Sequence, residues 1–299
     1  MKVADLSKSE LTRRLKKQGL FILVGPFSIK ILSSMSIVVD GIAALYSDYS
    51  LANDDYADYH IEINPPRSVR RWYRPQVDFY FDGYRPFKPL PQDQAFALFE
   101  WSFNWCIATS CHTYLILHAA VIEKNGRAVI MPAPPGSGKS TLTAGLVSKG
   151  WRLFSDELAM FPLGSDDVCA LPRPVSLKNA SIDIMRAYAP GSVLGPVAYD
   201  TSKGTVAHMK VPVESVKRAL EPATPSWVIF PKYQAGHEAT LTAMEPAQAF
   251  MHLAENAFNY QVLRQIAFEK LGGVIDQCQV YQFTYHNLDD ALEIFDGLD

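Results

Sequence analysis

A short glycine-rich stretch carries the residue types best suited to phosphate chemistry. Residues 133–140 read Ala-Pro-Pro-Gly-Ser-Gly-Lys-Ser, the Walker A pattern of a P-loop with Ala133 as its first residue. Glycines let backbone N–H groups wrap around phosphates, the lysine reaches the β- and γ-phosphates, and the serine hydroxyl can bind Mg²⁺. The pattern predicts that ATP with Mg²⁺ is bound by Pro135, Gly136, Ser137, Gly138, Lys139, Ser140 and Thr141.

The sequence around this motif predicts the elements that a P-loop requires. Residues 127–131 are strand-like and follow the hairpin turn Asn125-Gly126, and they run directly into the motif. Residues 139–149 predict a helix that Gly150 closes. The alternative is a glycine-rich turn with an exposed lysine, but such a turn does not require a strand before it and a helix after it. No base-specific motif distinguishes ATP from GTP.

Two adjacent acidic residues follow the next predicted strand. This strand covers residues 151–155 and ends on Asp156 and Glu157. One carboxylate can hold Mg²⁺ while the other orients or deprotonates an acceptor hydroxyl. Together with the P-loop serine, one of these acids would complete a metal site, so the candidate metal ligands are Ser140, Asp156 and Glu157. The alternative is a turn aspartate that caps the following segment.

The alternation of strands and helices predicts an α/β fold with a nucleotide-binding core in residues 111–299 and a smaller α+β region in residues 1–110. In the first region, helices are predicted at 7–18, 36–48 and 91–111, and strands at 58–64, 77–82 and on both sides of Gly25-Pro26. In the second region, strands are predicted at 114–122, 226–231, 239–243 and 278–285, helices at 246–256, 260–272 and 288–297, and a mobile loop at 190–206.

Three spaced features resemble the catalytic domain of HPr kinase/phosphorylase, a bacterial enzyme that phosphorylates a serine on a carrier protein. In that family, whose core resembles PEP carboxykinase, a histidine precedes a β-hairpin, and the P-loop, a helix and an acidic pair follow. Here these features are His118, the loop ending in Lys139-Ser140, and the pair Asp156-Glu157. Residues 172–179 also resemble the divergent HPr-kinase-related kinase A group.

The resemblance implies a P-loop kinase core of the HPr kinase / PEP carboxykinase type. It implies transfer of the γ-phosphate of ATP to a hydroxyl, with serine of a peptide or protein as the leading acceptor. Asp156 would act as general base, with His118 close to it and Lys139 on the phosphates. A small-molecule kinase on the same core and a non-catalytic nucleotide-sensing module are the alternatives. Because HPr kinase forms hexamers, a homo-oligomer is a further option.

Two basic residues in the stretch 172–179 have two interpretations that the sequence leaves open. Arg173 and Lys178 could bind phosphate, or they could belong to a surface loop leading to a helix capped by Asn179 or Ser181.

Composition excludes several other classes of protein. The chain has 299 residues, of which 48% are hydrophobic and 20% charged, which is a globular composition. A net charge of −3 gives no basic field for nucleic acid. No apolar stretch reaches the length of about 18 residues that a membrane span requires. The four cysteines lack metal-binding spacing and are expected to be free thiols in the cytoplasm.

Overall fold

Three β-sheets and the helices packed on them form the mixed α/β architecture of the chain. The computed structural model describes residues 1–53, 55–67, 73–134 and 136–298. Within these residues, no helix has both the length and the apolar content needed to cross a bilayer.

The first sheet contains five strands from the N-terminal third of the chain. They are β1 (Leu20–Val24), β2 (Phe27–Ser33), β3 (Tyr59–Asn64), β4 (Gln76–Phe81) and β5 (Leu90–Pro91), in that spatial order. The helices of this region are α1 (Lys8–Lys17), α2 (Ser36–Leu45) and α3 (Ala95–Ser110), and a 3₁₀ turn at Gln92–Gln94 precedes α3. Alternating burial along β2 and β3 shows that one face of this sheet lies on the core, as a period of two predicts.

The second part of the chain contains the remaining elements. In chain order they are β6 (Tyr114–Lys124), β7 (Arg127–Pro132), α4 (Lys139–Ser148), β8 (Arg152–Ser155), β9 (Leu158–Pro162), β10 (Val175–Lys178), α5 (Ala180–Tyr188), β11 (Ala198–Thr201), β12 (Gly204–Met209), α6 (Val213–Lys217), β13 (Thr224–Tyr233), β14 (Thr240–Ala243), α7 (Pro246–Glu255), α8 (Tyr260–Leu263), α9 (Gln265–Gln277), β15 (Gln279–Tyr285) and α10 (Leu288–Asp296).

The largest sheet places β7 at its centre. Its order is β14-β15-β13-β7-β6-β8, and β9 also pairs with β6. Strand β7 runs parallel to β13 and antiparallel to β6, and residues 128–131 are fully buried. Helices α4 and α10 cover one face of the sheet, and α7 and α9 cover the other. A strand covered on both faces reads as a continuous apolar run, which is what residues 128–131 show.

Most predicted elements are confirmed within two to four residues, but two predictions are wrong. The predicted mobile loop at 190–206 contains strands β11 and β12, which form a hairpin that pairs with β10. The side-chain amide of Gln94 also donates to the backbone carbonyls of Tyr199 and Asp200, at 3.0 and 3.3 Å. The predicted helix at 260–272 is divided at Arg264, where a φ of 51° interrupts the helical geometry.

The two parts of the chain share a hydrophobic core. Side chains of Ile116, Met160 and Leu171 belong to the same buried cluster as the residues under the five-stranded sheet. The hydroxyl of Tyr49 donates to the backbone carbonyl of Pro172 at 2.8 Å. The boundary predicted near residue 110 stays a prediction, since this packing is continuous across it.

Candidate active site

The predicted P-loop connects the end of β7 to the beginning of α4. Gly136 and Gly138 have φ values of 88° and 87°, in the left-handed region that glycine occupies without a steric penalty. Pro135 lies outside the described residues. Ser140 and Thr141 follow in the first turn of α4, whose positive N-terminal end adjoins the loop, as anion binding requires.

Two tyrosines that sequence reasoning missed hold the P-loop in place. The hydroxyl of Tyr285 donates to the carbonyl of Gly138 at 2.9 Å. The backbone N–H of Tyr233 donates to the carbonyl of Ser137 at 2.9 Å. A Cβ atom added at Gly138 would lie 2.5 Å from the Tyr285 hydroxyl, so only glycine fits. Both tyrosines lie at the ends of neighbouring strands, β13 and β15, and no local sequence signal links them to the loop.

The side chain of Lys139 joins the P-loop to the acidic pair. Lys139 is buried, and its Nζ donates to the backbone carbonyl of Asp156 at 2.7 Å. The structure therefore brings together the lysine and the acid that the sequence separates by a helix and a strand.

The carboxylate of Asp156 is buried and only partly hydrogen-bonded. Asp156 is 4% exposed, and its Oδ2 accepts from the backbone N–H of Ser176 at 3.1 Å. Oδ1 is buried without a hydrogen-bond partner among the described residues. Burial is the largest influence and raises the pKa of Asp156, whereas the positive charge of Lys139 acts to lower it.

The unpartnered oxygen of Asp156 fits a hard divalent cation. The side chain of Ser140 lies close to the same carboxylate. Carboxylate and hydroxyl oxygens are the ligands that Mg²⁺ prefers, together with water and substrate phosphates. No group of three or more His, Cys, Asp or Glu residues forms a metal cage within the described part of the chain. The arrangement therefore fits a cation held by few protein ligands, of which Asp156 and Ser140 are the ones the geometry offers.

Glu157 has a different environment from its neighbour. Its Oε2 lies 3.0 Å from Nε2 of His118, and its Oε1 lies 3.7 Å from Nζ of Lys178. Burial acts to raise the pKa of Glu157, but the hydrogen bond from His118 and the charges of Lys139 and Lys178 together hold it below its usual range. Because both carboxylate oxygens face cationic or donor groups, Glu157 is placed to orient His118.

Of the two basic residues with open interpretations, Lys178 lies beside Glu157, whereas Arg173 is paired with residues of α3. Arg173 is buried and donates to the carboxylate of Glu100 at 2.5 Å and to the side-chain carbonyl of Asn104. Its guanidinium also lies 4.2 Å from the ring centroid of Phe103. These contacts favour a structural role for Arg173 in joining α3 to the segment that precedes β10.

A cavity of about 650 Å³ adjoins the acidic pair on the side of α3. Asp156, Glu157 and His118 lie in its wall, whereas no described residue of the P-loop does. Its other walls include residues of α3, of the β11–β12 hairpin, of the segments 87–94 and 173–178, and Phe258. Asp156 thus lies between the predicted P-loop and a separate space large enough for a small organic molecule.

Comparisons with known proteins give little information about the function of this site. No protein-family model matches the sequence, and no curated protein matches it. Among solved structures, the Hpr(Ser) kinase/phosphatase from Coxiella burnetii is matched at 12% identity and a TM-score of 0.27, over 60% of this chain and 95% of that chain. At this TM-score the match does not establish a common fold, so the residues of the site have to support any functional conclusion.

Proposed function

We propose that this chain is an ATP-dependent kinase of the P-loop type, similar in its chemistry to HPr-kinase-related enzymes. It transfers the γ-phosphate to a hydroxyl group, with serine of a peptide or protein as the leading acceptor. The observation that carries the proposal is the position of Asp156. Its backbone carbonyl accepts from Lys139 of the predicted P-loop, and the same residue lies in the wall of the adjoining cavity.

The residues of the chain divide the chemistry in the following way. Lys139 and the backbone of the loop neutralise and orient the phosphates. Asp156 accepts the proton of the acceptor hydroxyl, a role suited to a carboxylate whose pKa is raised by burial. The His118–Glu157 pair fixes an imidazole at the same wall. Mg²⁺–ATP, when bound at Ser140 and Asp156, supplies the phosphoryl group and further charge neutralisation.

A small-molecule kinase is the second candidate, and the cavity favours it. Its volume lies within the range of about 300–1,000 Å³ that is typical of small-molecule sites. A non-catalytic nucleotide sensor is less well supported. A sensor of Mg²⁺–ATP would also use Asp156, but it has no need of the separate cavity that Asp156 adjoins.

The test is a phosphoryl-transfer assay with matched variants. Purified protein receives Mg²⁺, γ-labelled ATP or GTP, and a panel of serine peptides, beside Lys139→Ala and Asp156→Asn. Asp156→Asn is expected to lower turnover about 10²- to 10⁴-fold because the base is lost. Nucleotide binding should weaken but persist, because Lys139, Ser140 and the backbone of the loop remain. Lys139→Ala is expected to lose binding and transfer together. Lys149→Ala, an exposed lysine just beyond the other end of α4, serves as the control.

Each outcome has a clear meaning. Nucleotide binding without transfer to any acceptor would leave the sensor as the better interpretation. Equal transfer by the wild type and Asp156→Asn would remove the general-base assignment, and no nucleotide binding at all would refute the kinase.

A further inference from the structure

The cavity beside Asp156 has an aromatic wall that is exposed without an evident structural reason. The indole of Trp101 on α3 packs 4.5 Å from the ring of Phe87, and that of Trp105 packs 4.9 Å from the same ring. Trp101 nevertheless remains 44% exposed, and Phe258 on another wall remains 51% exposed. Large aromatic surfaces left open inside a concave site are typical of a ligand-binding pocket.

The β11–β12 hairpin contributes positive charge to the wall of the cavity. Lys203 lies at the turn of this hairpin, and within the described ranges no carboxylate lies within ion-pair distance of its Nζ. Lys203 keeps a solvent-exposed surface, but partial desolvation and then the charge of Lys178 lower the pKa of its ammonium. Gln94 donates hydrogen bonds to the backbone carbonyls of Tyr199 and Asp200 in β11. These bonds fix the hairpin and keep Lys203 at the edge of the cavity. An ammonium near other lysines is best compensated by an anionic ligand.

The catalytic end of the cavity provides the third element. Asp156 and His118 both lie in the wall at this end, where Nε2 of His118 is held by Glu157. A hydroxyl group placed there would lie beside Asp156, whose Oδ2 accepts only the backbone N–H of Ser176 among the described residues. The lining of the cavity therefore includes an aromatic wall, a cationic rim and a proton acceptor.

We infer that this cavity is the acceptor site, and that its acceptor is a hydroxy acid with an aromatic or bulky aliphatic body. The inference rests on the proposed kinase function and narrows its substrate. The body packs between Trp101 and Phe258, the carboxylate pairs with Lys203, and the hydroxyl faces Asp156. A free small molecule and the end of a peptide can both present these three groups.

The transfer step balances with these groups. The acceptor hydroxyl oxygen forms a bond to the γ-phosphorus, and the bond from that phosphorus to the β,γ-bridging oxygen breaks with its electron pair leaving on ADP. The hydroxyl proton passes to the carboxylate of Asp156. The products are a phosphate monoester of the hydroxy acid, ADP and a protonated Asp156, which returns its proton to solvent.

Binding is tested first without nucleotide, by calorimetry with 3-phenyllactate as the probe. The matched ligands are lactate, which lacks the ring, and 3-phenyllactamide, which lacks the charge. Trp101→Ala is expected to weaken phenyllactate binding at least tenfold, and Trp101→Phe to restore most of it. Lys203→Gln is expected to weaken phenyllactate about tenfold but to leave phenyllactamide unchanged. Phe268→Ala and Lys149→Gln remove an exposed ring and an exposed lysine outside the cavity and serve as controls.

Transfer is then tested with γ-labelled ATP. Phenyllactate and N-acetyl-seryl-phenylalanine are expected to accept label better than lactate, and the better of the two identifies a free acid or a peptide end as the source. 3-Phenylpropionate, which has no hydroxyl, is expected to bind and to inhibit. Binding that is equal in Trp101→Ala, Lys203→Gln and the wild type, or no binding of any probe, would overturn the inference while leaving nucleotide binding, and so the kinase proposal, intact.

Discussion

The buried ion pair between Glu100 and Arg173 allows a quantitative test of how the two parts of the chain are joined. The side chains are 3% and 7% exposed, and the pair is extended by a 2.8 Å hydrogen bond from the hydroxyl of Tyr46 to Glu100. Replacing Glu100 by glutamine keeps the volume but leaves Arg173 buried without a counter-charge, and arginine cannot release its proton. Losing one partner of a buried pair costs about 3–5 kcal/mol. We expect about 3 kcal/mol, because water in the adjoining cavity can reach the guanidinium.

Urea unfolding monitored by circular dichroism measures this cost. Glu100→Gln should lower the free energy of unfolding with an unchanged m-value, because the surface exposed on unfolding stays the same. Adding Arg173→Met should recover much of the loss, since an apolar replacement of both partners is often close to neutral. Asp183→Asn breaks an exposed pair with Arg186 and should cost less than about 0.5 kcal/mol. A loss below about 1 kcal/mol for Glu100→Gln, or a double variant worse than the sum of both single variants, would refute the reasoning.

Further predictions concern the P-loop and the acidic pair. Gly138→Ala should lower the thermal midpoint clearly more than Gly136→Ala: both positions have positive φ, but only at Gly138 does the added Cβ meet Tyr285. Equal losses would contradict the role of the tyrosine. Asp156→Asn should stabilise the nucleotide-free protein at pH 7–8: burial raises the pKa of Asp156, so its ionisation costs stability as pH rises through the folded-state pKa, and the gain should vanish below about pH 4. Glu157→Gln should instead destabilise the protein. Burial acts to raise the pKa of Glu157, but His118 and nearby lysines together lower it below its usual range. Its stabilising contribution should therefore be present above about pH 4.3 and be lost as pH falls towards the folded-state pKa. Unfolding curves across this pH range measure both effects, and changes of the same sign would show that the two carboxylates do not differ in this way.

Local signals explain which parts of the fold could be predicted from the sequence. The turn at Asn125-Gly126, where both residues have positive φ, and the helix after the P-loop depend on short-range chemistry, and both are confirmed. Strand β9 was missed because residues 158–162 follow the acidic pair with no recognisable turn residue between them. The hairpin of β11 and β12 was missed because its order comes from pairing with β10 and from Gln94, about a hundred positions away.

The candidate site also combines residues that the sequence indicated with contacts that depend on tertiary packing. Lys139, Asp156 and Glu157 were named from residue types and spacing, and His118 from the family resemblance. The structure places them side by side, although their catalytic roles stay predictions. The hydrogen bond from the Tyr285 hydroxyl to Gly138 and the aromatic wall of the cavity were not predicted. They arise from tertiary packing of α3 and β15 against the core, which neither spacing nor periodicity encodes.

Helix α3 carries both residues that line the cavity and a residue that supports the acidic pair indirectly. Trp101 and Trp105 on α3 line the cavity, yet the helix contributes no residue to the P-loop or the acidic pair. Through Glu100, the same helix holds Arg173, three residues before the Ser176 N–H that contacts Asp156. Under the proposal that the cavity holds the acceptor, substitution of either tryptophan would alter acceptor choice without changing the acidic pair. Substitution of Glu100 would instead disturb the segment that positions the Ser176 N–H on Asp156. Divergent descendants of this chain should therefore vary at Trp101 and Trp105 and retain Glu100.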